Sequence, residues 1–258
     1  MTNKARGTIS ECWRYPVKSF QGLRQDGLTI TGAGVEGDRT YGLLDVEPGR
    51  LLSAKRSGAL FFASATDRDV TLPDGTLYAV DDPALDAALS EWIGRPIRFA
   101  RADQTDQISY QMTFDPPDDD AELFDIPAPA GSFVDLAPVH LVSSSTLRGC
   151  AEARPDLDWD VRRFRPNLLV DLDSAPFAED TWIGREIRVG DVVLHIDGPT
   201  VRCAMPLRAQ PDGLERQAGL FQAINEVNPT FPGHLGLYCS VITAGTVSTG
   251  DPVTVDLG

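Results

Sequence analysis

Positive charge is scarce in this 258-residue chain: 23 Lys and Arg stand against 38 Asp and Glu, for a formal net charge of −15. Nucleic-acid phosphate and anionic lipid headgroups repel a surface of that sign, so neither is expected as a partner. Cysteine is scarce too. Cys12, Cys150, Cys203 and Cys239 lie far apart and form no C-x-x-C pair, which argues against a disulfide framework. With no secretory leader visible in the opening residues, a reduced, cytoplasmic thiol set is expected. No apolar run reaches the length of a membrane span. The G-x-S-x-G, H-E-x-x-H and P-loop signatures are missing. His140, His195 and His234 stand alone and read as structural rather than metal-ligating.

What is present is a set of cations held in short, distinctive strings: Lys18, Arg39, Lys55 and Arg56, then Arg162, Arg163, Arg165 and Arg202. They build one anion pocket or they are scattered surface charges, and sequence alone leaves both open. The most informative string is Pro199-Thr200-Val201-Arg202-Cys203-Ala204-Met205-Pro206-Leu207, which comes after the strand-like run 192–196. A guanidinium beside a cysteine favours thiolate over thiol, the form that attacks an electrophile or binds a soft metal. An inert buried thiol is the other reading of the same string.

Periodicity reads mainly as β-structure with a few helices. Residues 7–17 alternate and form a first strand, ending in Tyr15-Pro16-Val17-Lys18-Ser19, where proline interrupts pairing. Residues 32–37 match G-x-G-x-x-G. The next five residues, Asp38-Arg39-Thr40-Tyr41-Gly42, continue in a β pattern, so a dinucleotide fold is set aside for a strand–turn–strand connection. Residues 60–70 and 76–80 read as strands around the turn Pro73-Asp74-Gly75. Asp81-Asp82-Pro83 then opens a helix with Leu85, Leu89 and Trp92 on one face. The string Trp92-Ile93-Gly94-Arg95-Pro96-Ile97-Arg98 returns as Trp182-Ile183-Gly184-Arg185-Glu186-Ile187-Arg188, in keeping with two similarly built modules.

Residues 103–130, with Asp115-Pro116-Pro117-Asp118-Asp119-Asp120 at their centre, read as an acidic, proline-stiffened linker or large loop. The second half resumes with a strand at 139–142. Ser143, Ser144, Ser145 and Thr146 then cap a helix and offer hydroxyls and N–H groups to a phosphate. Three arginines precede the apolar strand at 168–170, an unusual place for a residue that resists burial unless paired. A helix over 214–227 and strands over 235–256 close the chain. The predicted organisation is an N-terminal β-barrel-like module at 1–102, the linker at 103–130 and a second β-barrel at 131–258.

Six strings occur in order: Tyr15-Pro16-Val17-Lys18-Ser19, Gly37-Asp38-Arg39, Phe164-Arg165-Pro166-Asn167, Asp180-Thr181-Trp182, Arg202-Cys203 and Gly250-Asp251-Pro252-Val253. In this the chain resembles the MOSC-domain proteins, named for the C-terminal domain of molybdenum-cofactor sulfurase, here with an N-terminal MOSC β-barrel domain in front. The resemblance extends to the amidoxime-reducing components and their bacterial counterparts, which reduce N-hydroxylated compounds.

The resemblance implies a molybdenum cofactor, with Cys203 as metal ligand and catalytic centre. It implies cofactor contacts from Lys18, Ser19 and Arg39, from Arg165 and Asn167, from Arg202, and from the turn Ser143, Ser144, Ser145 and Thr146. It also implies a small-molecule substrate. Because the sequence carries no iron–sulfur or flavin module, a reductase of this kind needs a separate electron-donor protein. One departure stands out: where the amidoxime-reducing relatives carry two threonines after the Arg-Cys pair, this chain has Pro206 and Leu207. Two alternatives stay open at this point. In one, Cys203 carries a persulfide and the protein moves sulfur, with no cofactor required; in the other it is a cofactor carrier without chemistry of its own.

Overall fold

Seven strands close into a barrel that draws on both ends of the chain. In the computed structural model, which describes residues 4–105, 107–113 and 121–256, the ring runs Leu168–Leu172, Val139–Ser143, His234–Thr243, Val192–Val201, Glu186–Val189, Pro252–Asp256 and Lys4–Arg14, then back to Leu168–Leu172. Lys4–Arg14 makes the closure by pairing antiparallel on both sides, Gly7 opposite Val253 on one and opposite Leu172 on the other. Inward-facing Ile9, Ile187, Val189, Leu194, Ile196 and Val253 fill the interior at the period of two expected of strands. Leucine and β-branched side chains suit that pleated, half-buried surface.

Only one pair in the ring is parallel, Val139–Ser143 with Leu168–Leu172. A parallel pair needs a crossover, and it is supplied here by two helices, α2 (Ser144–Ala153) and α3 (Val161–Phe164). These come after α1 (Leu85–Ile93) and before α4 (Leu220–Val227) in the chain. The long pair Val192–Val201 with His234–Thr243 shifts register at three places, the last between Pro199 and Val201. Such irregularities bend a strand and re-aim its end; here they turn the chain out of the barrel just before Cys203.

A five-stranded sheet, ordered Ile97–Arg101, Tyr41–Asp45, Arg50–Leu52, Ser109–Met112 and Phe124–Pro127, forms the other module. Leu85 and Leu89 of α1 pack into its core with Val17, Phe20, Leu43 and Leu60. The chain is mainly β with a few helices, as the periodicity predicts.

Several local expectations are corrected. The described part of residues 103–130 is not a linker: Ser109–Met112 and Phe124–Pro127 pair as antiparallel strands and Tyr110 is fully buried. The alternation of Ile108, Tyr110 and Met112 carries that strand despite the surrounding acids. Asp115-Pro116-Pro117-Asp118-Asp119-Asp120 lies outside the described residues. The helix over 214–227 shortens to α4, because Leu214 pairs with Gln210 in a bridge. Residues 60–70 contain the end of a 3-10 turn, Gly58–Phe62, and part of a short hairpin rather than one strand. The G-x-G-x-x-G stretch makes a hairpin, Gly27–Thr31 with Gly34–Val35. Among the described residues no helix is long and apolar enough to cross a membrane, and all four cysteines are free thiols.

Candidate functional site

Three segments reach the same cleft by way of strained backbone. Ser19, Arg39 and Arg165 have φ of 70°, 47° and 55°, three of the six non-glycine residues with positive φ among those described. Left-handed backbone costs an L-residue on the order of 1 kcal/mol, and it collects where surrounding structure over-determines it, often at functional sites. Here the surroundings are explicit. Arg39 N–H donates to Tyr15 O at 2.7 Å, Lys18 N–H to Tyr41 O at 2.8 Å and Tyr41 N–H to Pro16 O at 3.0 Å. This ladder zips the Tyr15–Ser19 turn onto the strand Tyr41–Asp45. Arg165 is left-handed as the C-cap of α3, which fits a four-residue helix that must end before the barrel strand begins.

The cleft between barrel and N-terminal module is lined by Lys18, Ser19 and Arg39 from the first half and by Arg165, Asn167, Arg202 and Cys203 from the second. Lys55, Asp135 and His140 complete its polar wall. Both carboxylate oxygens of Asp135 are used: one accepts from Lys18 Nζ and the other from Lys55 Nζ at 2.8 Å. The two ammonium groups sit over one ring, Tyr110, at 4.6 and 4.5 Å. Burial pushes Lys18 down to about 8. Burial also works against the Asp135 carboxylate, but Lys18 and Lys55 outweigh it and hold the group well below the usual carboxylate range. A second ring, Tyr15, lies between Arg165 at 4.1 Å and Arg39 at 4.6 Å. One carboxylate thus balances two lysines, while Arg39 has its own acid, Asp38, and Arg163 has Asp158 at 3.5 Å. The wall carries excess positive charge in a protein that is strongly negative overall.

Arg202 is spent on the protein. Nε donates to Leu235 O at 2.8 Å, Nη1 to Phe164 O at 3.0 Å and Nη2 to His140 Nε2 at 2.7 Å. It braces the turn carrying Cys203 rather than presenting a free guanidinium. Arg165 differs: Nη1 donates to Phe20 O at 2.6 Å, while Nη2 is buried with no partner. Burial pushes Arg165 down to about 10. A buried guanidinium nitrogen without an acceptor is costly, and an anion in the cleft would satisfy it. Asn167 locks the barrel seam, accepting from His140 N at 3.0 Å and donating to Trp13 O at 3.3 Å.

The serine turn takes no part in this cleft. Ser143 Oγ caps α2 by accepting from Thr146 N at 3.1 Å, Ser144 bonds Asp171, Ser145 lies against Ser143 and Ser174, and Thr146 Oγ1 donates to buried Glu179 at 2.6 Å. Arg163 lines the cleft but reaches behind it, donating to Pro206 O, Arg208 O and Glu215 O at 2.9–3.3 Å. The sequence does not signal Asp135. Lys55 belongs to the cation strings without any motif that marks it for the cleft, and His140 reads as merely structural.

The donor set suits an anionic group carrying a soft metal: several cations, the unpartnered Nη2 of Arg165 and Cys203, a partly exposed free thiol. The cavity in the cleft measures about 110 Å³.

The MOSC domain family model matches residues 129–254, and that of the MOSC N-terminal beta barrel domain matches residues 6–111. The chain belongs to the MOSC-domain family. The chain is 28% identical to the molybdenum cofactor sulfurase of Oryza sativa subsp. japonica over 74% of its own length, and spans 27% of that longer protein. It is 24% identical to mitochondrial amidoxime reducing component 2 of Bos taurus, covering 96% of this chain and 82% of that one. Among solved structures, the YuaD protein from Bacillus subtilis aligns over 99% of this chain and 98% of its own, at 14% identity and a TM-score of 0.46. In this MOSC-domain protein the two matched regions meet at the cleft: Lys18, Ser19, Arg39 and Lys55 come from one, Asp135, Arg165, Arg202 and Cys203 from the other.

Proposed function

We propose that this protein is a molybdenum-cofactor-dependent oxidoreductase that reduces N-hydroxylated or otherwise N-oxygenated small molecules, with Cys203 as the single protein ligand to the metal. One observation carries the reading: a partly exposed thiol lies in the same cleft as Lys18, Lys55, Arg39 and Arg165. A soft thiolate suits molybdenum, and the cations suit the phosphate of a pterin. When bound, the cofactor supplies a two-electron redox centre.

The chain's own residues bind and orient. Lys18, Lys55 and the unpartnered Nη2 of Arg165 hold the anionic end, with Asp135 setting the balance of charge between the lysines. Neutral His140 fixes Arg202, and Arg202 fixes the turn that carries Cys203. The net reaction is R–NH–OH + 2 e⁻ + 2 H⁺ → R–NH₂ + H₂O: the N–O bond breaks and its oxygen leaves as water. A separate donor protein supplies the electrons. The relationship to amidoxime reducing component 2, which extends along nearly the whole chain, supports this chemistry.

Elemental analysis and an assay with chemically reduced viologen test it. Protein made with abundant molybdate is expected to carry stoichiometric molybdenum and to convert benzamidoxime to benzamidine, with no product from Cys203→Ser. Metal-free wild-type protein that instead gains a persulfide on Cys203 from a sulfur donor would make it a sulfur carrier.

A further inference from the structure

The mouth of the cleft is built differently from its floor. Leu136 and Val201 are 52% and 40% exposed, two of the large apolar side chains the protein leaves in solvent, and both line this cleft. Single exposed apolar residues are ordinary, but apolar groups that gather at a polar pocket mark a ligand surface. They are joined there by Met112 and Met205. The chain has three methionines, and both that come after Met1 therefore line this cleft. Three separate stretches converge to place them: the strand Ser109–Met112, the connection into the strand Val139–Ser143, and the segment from Val201 to Met205 that carries Cys203. Methionine is unbranched and polarizable, and it adapts its shape to varied apolar partners.

We infer that Met112, Leu136, Val201 and Met205 form an adaptable apolar collar that binds the carbon body of the substrate, so that the protein selects uncharged N-oxygenated compounds with an apolar or aromatic body. This inference rests on the reductase reading for the identity of the polar head. Charge points the same way. The methionines, leucine and valine offer a charged body no partner. The collar determines specificity by burying apolar area, without touching the reacting N–O bond.

The test compares benzohydroxamic with acetohydroxamic acid, which share the polar head and differ in the ring. Binding to the molybdenum-loaded protein is measured by calorimetry in wild type, Leu136→Ser, Val201→Ser and the double variant, together with molybdenum content. Both substituted positions are exposed, so the fold tolerates them. Wild type is expected to favour the benzo compound by about tenfold, in line with the burial of one ring face. The double variant is expected to reduce that preference to about threefold or less, with acetohydroxamic affinity and metal content unchanged. An undiminished preference in the double variant would overturn the inference, as would a parallel loss of molybdenum, since the collar would then serve the cofactor. Tight, ring-dependent binding without reduction to the amide would leave the collar standing and overturn the reductase reading instead.

Discussion

Arg202 donates from Nη2 to His140 Nε2 across 2.7 Å, so the imidazole accepts through a bare nitrogen while its Nδ1 faces Arg165 O at 3.2 Å. That pairing needs a neutral ring. Burial and, after it, the charge of Arg202 hold His140 well below its ordinary value of 6.5. The unfolded chain takes up this proton below about pH 6.5 and the folded chain does not, so the stability the group contributes is complete above that pH and is lost as pH falls below it. The loss reaches at most about 1.4 kcal/mol per pH unit. Urea unfolding at pH 7.5 and 5.5 is expected to show a smaller acid loss in His140→Gln than in wild type. Equal losses in the two proteins would place the proton elsewhere.

Asp135 stands between two ammonium groups, and Asp135→Asn leaves them with no counter-charge. Unfolding free energy is expected to fall by roughly 2 kcal/mol. Inorganic phosphate should return part of it, raising the Tm of the variant more than that of wild type at the same concentration. A phosphate effect no larger in the variant than in wild type would argue that the lysines do not form an anion seat.

Arg163 is 1% exposed and holds three carbonyls of the segment after Cys203. Arg163→Met keeps much of the side chain's bulk but strands those acceptors, and a cost of about 3 kcal/mol is expected from urea titration. The loss is expected to come with faster alkylation of Cys203 by iodoacetamide, because the segment from Pro206 to Glu215 is released. Unchanged alkylation would mean that Cys203 is held without it.

Glu179 is buried, takes a hydrogen bond from Thr146 at 2.6 Å and has its other oxygen unpaired. Burial raises its pKa above the unfolded value near 4.5. Its contribution to stability is therefore full below about pH 4.5 and is lost as pH rises through the folded pKa. Glu179→Gln removes that penalty. Its Tm is expected to gain on wild type between pH 5 and pH 8; a constant difference across that range would mean that the carboxyl does not titrate there.

Much of the fold and the cleft is legible in the sequence because chemistry and local pattern coincide. Lys18, Arg39, Arg165 and Arg202 sit in short strings whose order carries the resemblance, and the alternation around Ile187, Leu194 and Val253 reads directly as barrel strands. What stays hidden is what topology brings together. Asp135 lies in Gly131-Ser132-Phe133-Val134-Asp135, a stretch without a motif, and its partners are 117 and 80 positions away. The left-handed backbone at Ser19, Arg39 and Arg165 is hidden as well, since local preference puts glycine or asparagine there. At Ser143–Thr146 the capping role is readable and is what the structure uses. The same hydroxyls look available for phosphate only while Glu179 and Asp171, their actual partners, cannot be placed beside them.

The strand Lys4–Arg14 has a further consequence, in time rather than in space. It leaves the ribosome long before one of its two partners in the ring, Pro252–Asp256. A contact spanning most of the chain forms late, because the loop it closes is long. Until then, one edge of the nascent strand stays exposed, and its inward residues wait for the core they will share. The cation-lined cleft depends on the same ring for Arg165, Arg202 and Cys203. It is therefore finished only after Pro252–Asp256 has been made, and until then a growing chain has no completed seat in which to capture a ligand.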